Sequence, residues 1–217
     1  MQVQRYDLVD QVYEAIRKQI LTGALNPESP LRQEELAEQL GVSRQPVSHA
    51  LVLLEREGLV SDYGRKGKMV APIIPEHLRD LYQVRGAIDG LAAHLCAQRI
   101  DSELEDLLSK LIDQGNSASL DGSIQSLALA DIAFHRALYE QSGNPEITRL
   151  ADQSWSHMVR SMHQVLENYD IRSGIWDEHR LIAEAIISGD PELARNRASE
   201  HAYSAGQLTY RWLTGPR

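Results

Sequence analysis

Beyond the stretch APIIPEH (residues 71–77), with its two prolines, apolar residues recur every three to four positions and never alternate as in a strand. That periodicity leaves the rest of the chain little choice of fold. It predicts helices near residues 76–99, 102–114, 122–141, 145–168, 174–188 and 191–213, broken at QGNSASLDGS, SGNP, NYDIRSG and SGDP. Amphipathic helices with no sheet to cover bury their stripes against one another, as an all-α bundle.

Several polar residues fall on stripes that should be buried. In LALADIAFHRALYE, Asp131 and His135 are four residues apart and share a face with Leu127, Phe134 and Leu138. His179 lies on the stripe of Ile175, Ile182, Ala183 and Ile186, and His201 on that of Ala194, Ala198, Ala205 and Leu208. The turn SGDP joins these last two helices. His179 stands ten residues before Gly189 and His201 twelve after it, so an antiparallel hairpin brings them roughly level and face to face. A buried carboxylate is costly unless it is paired or coordinated. One carboxylate and three inward imidazoles make a ligand set for a divalent cation, zinc first, with nickel, iron or manganese also suited. On a five- or six-coordinate ion this set leaves positions open for water or an exogenous ligand.

A single histidine on an apolar stripe is more often a hydrogen-bonded core residue than a ligand, and only the convergence of four residues points to metal. His49, His77, His94, His157 and His163 have no such company, although His157 and His163 share a helix that could line the pocket. Trp155 and Trp176 read as core or rim. Arg85 is a further intruder, on the stripe Leu81, Ile88, Leu91 and Leu95. A buried guanidinium wants a carboxylate, supplied by Asp89 one turn on or by a bound small acid.

Upstream, Leu8, Val12, Ile16 and Ile20 recur every four residues in a helix that stops at Thr22-Gly23. LNPESP is a turn-rich break, and QEELAEQL a short helix closed by Gly41. Ser43 stands at an N-cap position, with Pro46 in the first turn where its missing N–H costs little. The helix it opens runs to Glu57 with Val47, Ala50, Leu51 and Leu54 inward, and Gly58 ends it. LVSDYGRKGKMVAPI then reads as strand, basic glycine-rich tip, strand. Helix, helix, turn, helix, hairpin is a winged helix-turn-helix layout. The expected fold is therefore mainly α: a winged helix-turn-helix domain with its linker over 1–75, and an all-α bundle over 76–217.

The stretch LRQEELAEQLGVSRQPVSHALVLLEREGLV resembles the N-terminal domain of GntR-family bacterial transcription regulators. The matching residues are Leu36-Ala37, Leu40-Gly41-Val42-Ser43-Arg44, Pro46-Val47, Ala50-Leu51, Leu54 and Glu57-Gly58-Leu59-Val60. The resemblance implies a recognition helix that offers Arg44, Gln45, Ser48 and His49 to the major groove of double-stranded DNA. Arg65, Lys66 and Lys68 on the wing would neutralise phosphates, with Gly67 letting the backbone approach closely. The family usually carries Arg-Glu where this chain has Ser48-His49. Serine cannot make a bidentate guanine contact, worth about 1–3 kcal/mol of base discrimination, so the operator sequence does not transfer from the family. The turn also has Pro27-Glu28-Ser29-Pro30 in place of the usual Pro-Gly.

Residues 76–217 resemble the FCD-type effector domain of the FadR subfamily of these regulators. The pattern there is Asp-x-x-x-His with two later histidines, beside a helix carrying Arg-x-x-x-acid. All four ligand positions are filled here, and Asp89 stands where the family more often has Glu. The shorter side chain is expected to weaken an internal pairing and leave Arg85 freer for a ligand. The resemblance implies a homodimer on a palindromic operator and a small carboxylate effector that reaches the metal and Arg85. Release from DNA is the family's commoner response, which makes a repressor the expected outcome. The rival from another class is a metal-dependent hydrolase joined to a DNA-binding domain. Against it, no nucleophile motif stands beside the ligands, and Glu178, next to His179, falls on the outer face of its helix. A second alternative keeps the regulator and makes the metal purely structural.

Charge does not veto the DNA reading. The net charge is −9, but residues 1–75 hold nine basic and ten acidic side chains, and residues 41–70 hold five basic and three acidic. The acidic excess sits in the second domain. The single cysteine, Cys96, excludes an intramolecular disulfide framework and fits a reducing interior. With no signal-peptide layout in MQVQRYDLVDQ and no long apolar run, a cytoplasmic protein with no membrane partner is expected.

Overall fold

Leu8–Leu21 (α1) presents Val12, Ile16 and Ile20 on one face. They pack with Leu36 of α2 (Gln33–Leu40) and with Val47, Ala50, Leu51 and Leu54 of α3 (Arg44–Arg56). Gly41 closes α2 in the left-handed conformation, at φ 65°, and its N–H reaches the carbonyls of Ala37 and Glu38. Ser43 occupies the N-cap position of α3 in extended backbone, without a side-chain cap bond. Tyr13 and Arg17 both donate to the Glu57 carboxylate, at 2.7 and 3.1 Å, and so tie α1 to the end of α3.

The wing is a three-stranded antiparallel sheet in the order β1-β3-β2, from Pro30–Leu31 (β1), Val60–Asp62 (β2) and Lys68–Val70 (β3). The third strand was not expected, because LNPESP reads only as a break. Its second proline opens β1, opposite Met69. Proline is tolerated there because β1 is an edge strand, which can spare one ladder donor.

The structure is a computed structural model that describes residues 8–64, 67–166 and 174–215. It divides into two compact units, Met1–Ile73 and Ile74–Arg217. The second holds α4 (Pro75–Ala97), α5 (Ser102–Asp121), α6 (Ile124–Gln141), α7 (Pro145–Val165), α8 (Ile175–Ile187) and α9 (Pro191–Thr214). Asp101, Ser123, Asn144 and Asp190 each cap a helix by accepting from a backbone N–H in its first turn. No helix among the described residues is long and apolar enough to cross a membrane.

Two expectations need correction. The polar run QGNSASLDGS does not interrupt α5, which continues to Asp121, and the break shrinks to Gly122-Ser123 with Gly122 at φ +71°. The stripe Leu81, Ile88, Leu91, Leu95 is not the buried face of α4, and Leu91 is 41% exposed. The buried face is Leu78, Tyr82, Arg85, Gly86, Asp89, Gly90, Ala92, Ala93 and Cys96. Small residues let α9 approach α4 closely: Gly86 faces the Tyr203 ring, Gly90 faces Ser199, and Gly206 faces Tyr82. A stripe of large apolar residues is the wrong marker for a helix packed this tightly.

Gly115 explains why α5 tolerates a glycine mid-helix. A Cβ there would lie 2.1 Å from the indole of Trp176, whose ring in turn sits 4.6 Å from that of His179. Gly115→Ala is therefore expected to lower stability by about 1–3 kcal/mol in urea unfolding. Helix propensity alone predicts a gain of about 1 kcal/mol, and a gain would show that the clearance under Trp176 is not needed.

A buried histidine-carboxylate cluster and a candidate DNA-reading face

Helices α6, α8 and α9 bring Asp131, His135, His179 and His201 together in the bundle interior. All four are buried, and one ligand atom from each lies within 4.8 Å of all the others. Nε2 of His179 is 3.2 Å from Nε2 of His135 and 3.3 Å from Asp131 Oδ1, while His135 Nε2 is 3.8 Å from that same oxygen. The rings of His179 and His201 lie 4.5 Å apart, as the hairpin spacing predicts.

The chemistry of this set suits a cation better than it suits itself. Two imidazole nitrogens at hydrogen-bond distance can satisfy each other only if one donates, and Asp131 Oδ2 is buried with no hydrogen-bond partner. Ligands held at about 2.0–2.1 Å on a common divalent ion sit about 2.8–3.0 Å apart at octahedral angles and about 3.3–3.4 Å apart at tetrahedral ones. The separations of His179 from His135 and from Asp131, 3.2 and 3.3 Å, are close to the tetrahedral value.

Protonation states follow from burial and neighbours. Burial first, and then the His201 ring, drives the His179 imidazole down to about 3. His135 is lowered too, by burial and by the Arg85 cation, against the pull of Asp89 and Asp131. Both are thereby held neutral, the form that ligates. Burial opposes ionisation of Asp131, but His135, His179 and Arg85 outweigh it and hold the carboxyl well below its usual range.

Arg85 is buried beside this cluster. Its Nε donates to Asp89 Oδ2 at 3.1 Å, and its Nη1 lies 3.7 Å from the Met158 sulfur. Its Nη2 is 4.0 Å from Asp131 Oδ2 and has no hydrogen-bond partner. Burial disfavours the cation, but Asp89, Tyr139 and Asp131 more than offset that and raise its pKa. Asp89, lowered to about 2 by Arg85 and His135 against the opposing effect of burial, also accepts from the Tyr139 hydroxyl at 2.5 Å. The Arg85–Asp89 pair therefore forms through Nε alone, and the Nη2 edge of the guanidinium is uncommitted.

Two carboxylates behind the ligands were not anticipated. Asp89 Oδ2 lies 3.3 Å from His135 Nδ1, and Glu178 Oε2 lies 2.7 Å from His201 Nδ1. Glu178, expected on the outer face of α8, is half-exposed and reaches across to α9. Its position next to His179 was the available signal, since a helix packed against α8 on that side meets both residues. His77 and His157 meet edge-to-face at 5.4 Å and are not among the four clustered residues, while the His163 side chain lies outside the described residues. Trp155 and Trp176 are buried.

In the first unit, α3 opens with Arg44, Gln45 and His49 exposed and Ser48 half-buried. Arg44 already holds an anion: its Nη1 is 2.9 Å from Glu34 Oε1. Gly67 is exposed at φ +107°, and its carbonyl accepts from Tyr63 N–H at 2.8 Å. Lys68 is not a free wing-tip cation, because β3 places its Nζ 2.5 Å from Glu55 and 2.8 Å from Asp62. Arg65 and Lys66 lie outside the described residues.

Comparison with known proteins accounts for both units. Residues 8–70 match the family model described as "Bacterial regulatory proteins, gntR family", and residues 80–204 match the FCD domain. An HTH-type transcriptional regulator in an unstable DNA locus of Streptomyces ambofaciens is 30% identical over 191 residues, covering 88% of this chain and 80% of its own. A Paenarthrobacter nicotinovorans relative named "Probable D-xylose utilization operon transcriptional repressor" is 25% identical, over 91% of this chain and 86% of its own. In fold, the structure of E. coli McbR/YncC superimposes with a TM-score of 0.82 at 23% identity, covering 97% of this chain and 100% of that one. The relatives are transcriptional regulators, not enzymes, which decides against the hydrolase. The chain belongs to the GntR family of bacterial transcriptional regulators, with a GntR helix-turn-helix domain followed by an FCD domain.

Proposed function

We propose that this regulator is a cytoplasmic repressor whose hold on a palindromic operator is modulated by a small organic acid, taken up at a divalent-metal site formed by Asp131, His135, His179 and His201. The observation that carries the reading is the convergence of four buried ligand atoms within 4.8 Å. A divalent ion there, zinc by the donor set, supplies positive charge and open coordination positions.

Charge balance identifies the class of effector. Counting the imidazoles in their ligating, neutral form, the charged groups in contact with one another around the cluster are one cation, Arg85, and two anions, Asp89 and Asp131, for a local net charge of −1, with Arg160 a further buried cation of the same unit. Bound metal takes the cavity to +1, and a single carboxylate returns it to neutrality. Isolated buried charge is strongly disfavoured, so the metal-loaded cavity selects for a monoanion. Arg85 Nη2 offers that carboxylate a donor not already spent on protein. The acid then shifts the balance of conformations through its differential affinity for them.

On the DNA side, Arg44, Gln45, Ser48 and His49 are assigned to base edges, and Arg65, Lys66, Gly67 and Lys68 to the backbone. A homodimer sets two recognition helices on successive major grooves, about one helical turn apart. A purely structural metal is the competing reading, and effector affinity separates the two.

His179→Ala is expected to abolish stoichiometric zinc by elemental analysis and to blunt the response to a panel of small carboxylates. Carboxylate affinity that survives metal removal would make the metal structural. Asp89→Asn is expected to cost about 3–5 kcal/mol in chemical denaturation, because it leaves Arg85 buried without its main partner. Arg85→Met in the same chain should recover much of that loss. Arg44→Ala is expected to weaken operator binding in gel-shift titrations by the equivalent of about 1–3 kcal/mol, while thermal stability and metal content stay unchanged.

A further inference from the structure

The three histidines of the cluster are supported differently from behind. His135 Nδ1 lies 3.3 Å from Asp89, a fully buried carboxylate already shared with Arg85 and Tyr139, without making a hydrogen bond to it. His179 Nδ1 is buried with no hydrogen-bond partner. His201 Nδ1 alone meets a carboxylate that also faces solvent: Glu178 Oε2 at 2.7 Å, on a side chain 50% exposed. A neutral imidazole carries one proton, and the ring nitrogen that holds it cannot ligate. A carboxylate on Nδ1 fixes the proton there, turns the lone pair of Nε2 inward, and raises its basicity.

We infer that Glu178 is a positioning residue for the cluster, holding His201 in the Nδ1–H tautomer and aiming its Nε2 at the bound cation. The inference rests on the metal reading given above. The same short stretch of α8 supplies both a ligand, His179, and the orienting group of a ligand on another helix, His201. The Glu178 contact crosses from α8 to α9, so it also holds the two helices in the register that keeps these ligands level. Because Glu178 reaches solvent, His201 is the one ligand among the three histidines whose orientation is set from the protein surface. Its replacement also leaves no buried charge unpaired, unlike that of Asp89, so the variants are expected to fold.

Zinc affinity of the full-length protein, measured by competition with a chelating dye, tests this for wild type, Glu178→Ala, Glu178→Gln and Glu184→Ala. Imidazole nitrogen shifts of the metal-free wild type at mildly alkaline pH report the tautomer of His201. The expected result is an Nδ1–H tautomer, with affinity reduced about 10–100-fold in Glu178→Ala. Affinity should be largely restored in Glu178→Gln, which keeps an acceptor oxygen. It should be unchanged in Glu184→Ala, which removes the same charge from the exposed side of α8. Wild-type affinity in Glu178→Ala, no rescue by glutamine, or a His201 proton on Nε2 would each overturn the inference. A wild type that binds no zinc would overturn the metal reading and this inference with it, a result distinct from a zinc-binding chain indifferent to Glu178.

Discussion

A guanidinium inside a helical bundle must be neutralised at close range, and the pairing of Arg85 with Asp89 does this within a single turn of α4. Much of the FCD-domain interior is arranged around that pair. Asp89 spends its second oxygen on Tyr139 and backs His135, so one carboxylate organises residues from α4 and α6. Arg85 in turn stands over the Tyr82 and Trp155 rings at 5.5 and 5.7 Å, a cation against two aromatic faces. What the pair leaves over is the negative charge of Asp131, and the three imidazoles collect around it.

The order of elements and the inward set of one aspartate and three histidines were legible in the sequence because helical period and loop chemistry report them directly. Asp131 and His135 share a face at i,i+4, and SGDP fixes the mirror position of His179 and His201. Other features were hidden for identifiable reasons. The inner face of α4 is built from Gly86, Gly90, Ala92 and Ala93, whose value lies in what they allow to approach, and hydropathy does not register that. Glu178 looked like an outer-face residue because a helical wheel describes one helix, and its partner is on another. The glycine within α5 makes room for Trp176, 61 positions along the chain from Gly115, and no local pattern records that contact.

The two units also differ in how they use polar groups. The FCD unit buries a charged set, Arg85, Asp89 and Asp131, beneath a surface that carries pairs such as Arg136 with Asp152 and Arg180 with Asp177. In the helix-turn-helix unit the charged groups pair at or near the surface: Arg44 with Glu34, Lys68 with Glu55 and Asp62, Arg32 with Glu35. Pairs of that kind add little to stability. Their consequence lies in what they do to an approaching polyanion.

Lys68 and Arg44 are not bare cations that a polyanion would meet unopposed. A phosphate that reaches either one takes the place of a carboxylate already in contact, so an intramolecular anion is traded for an intermolecular one. The small mobile cations that such a contact would normally drive off the nucleic acid are released all the same, but the displaced carboxylates then need cations of their own. The net number of ions liberated falls below the number of basic side chains at the surface. An ionic-strength dependence of DNA binding through these side chains would be correspondingly shallower than the count of lysines and arginines implies.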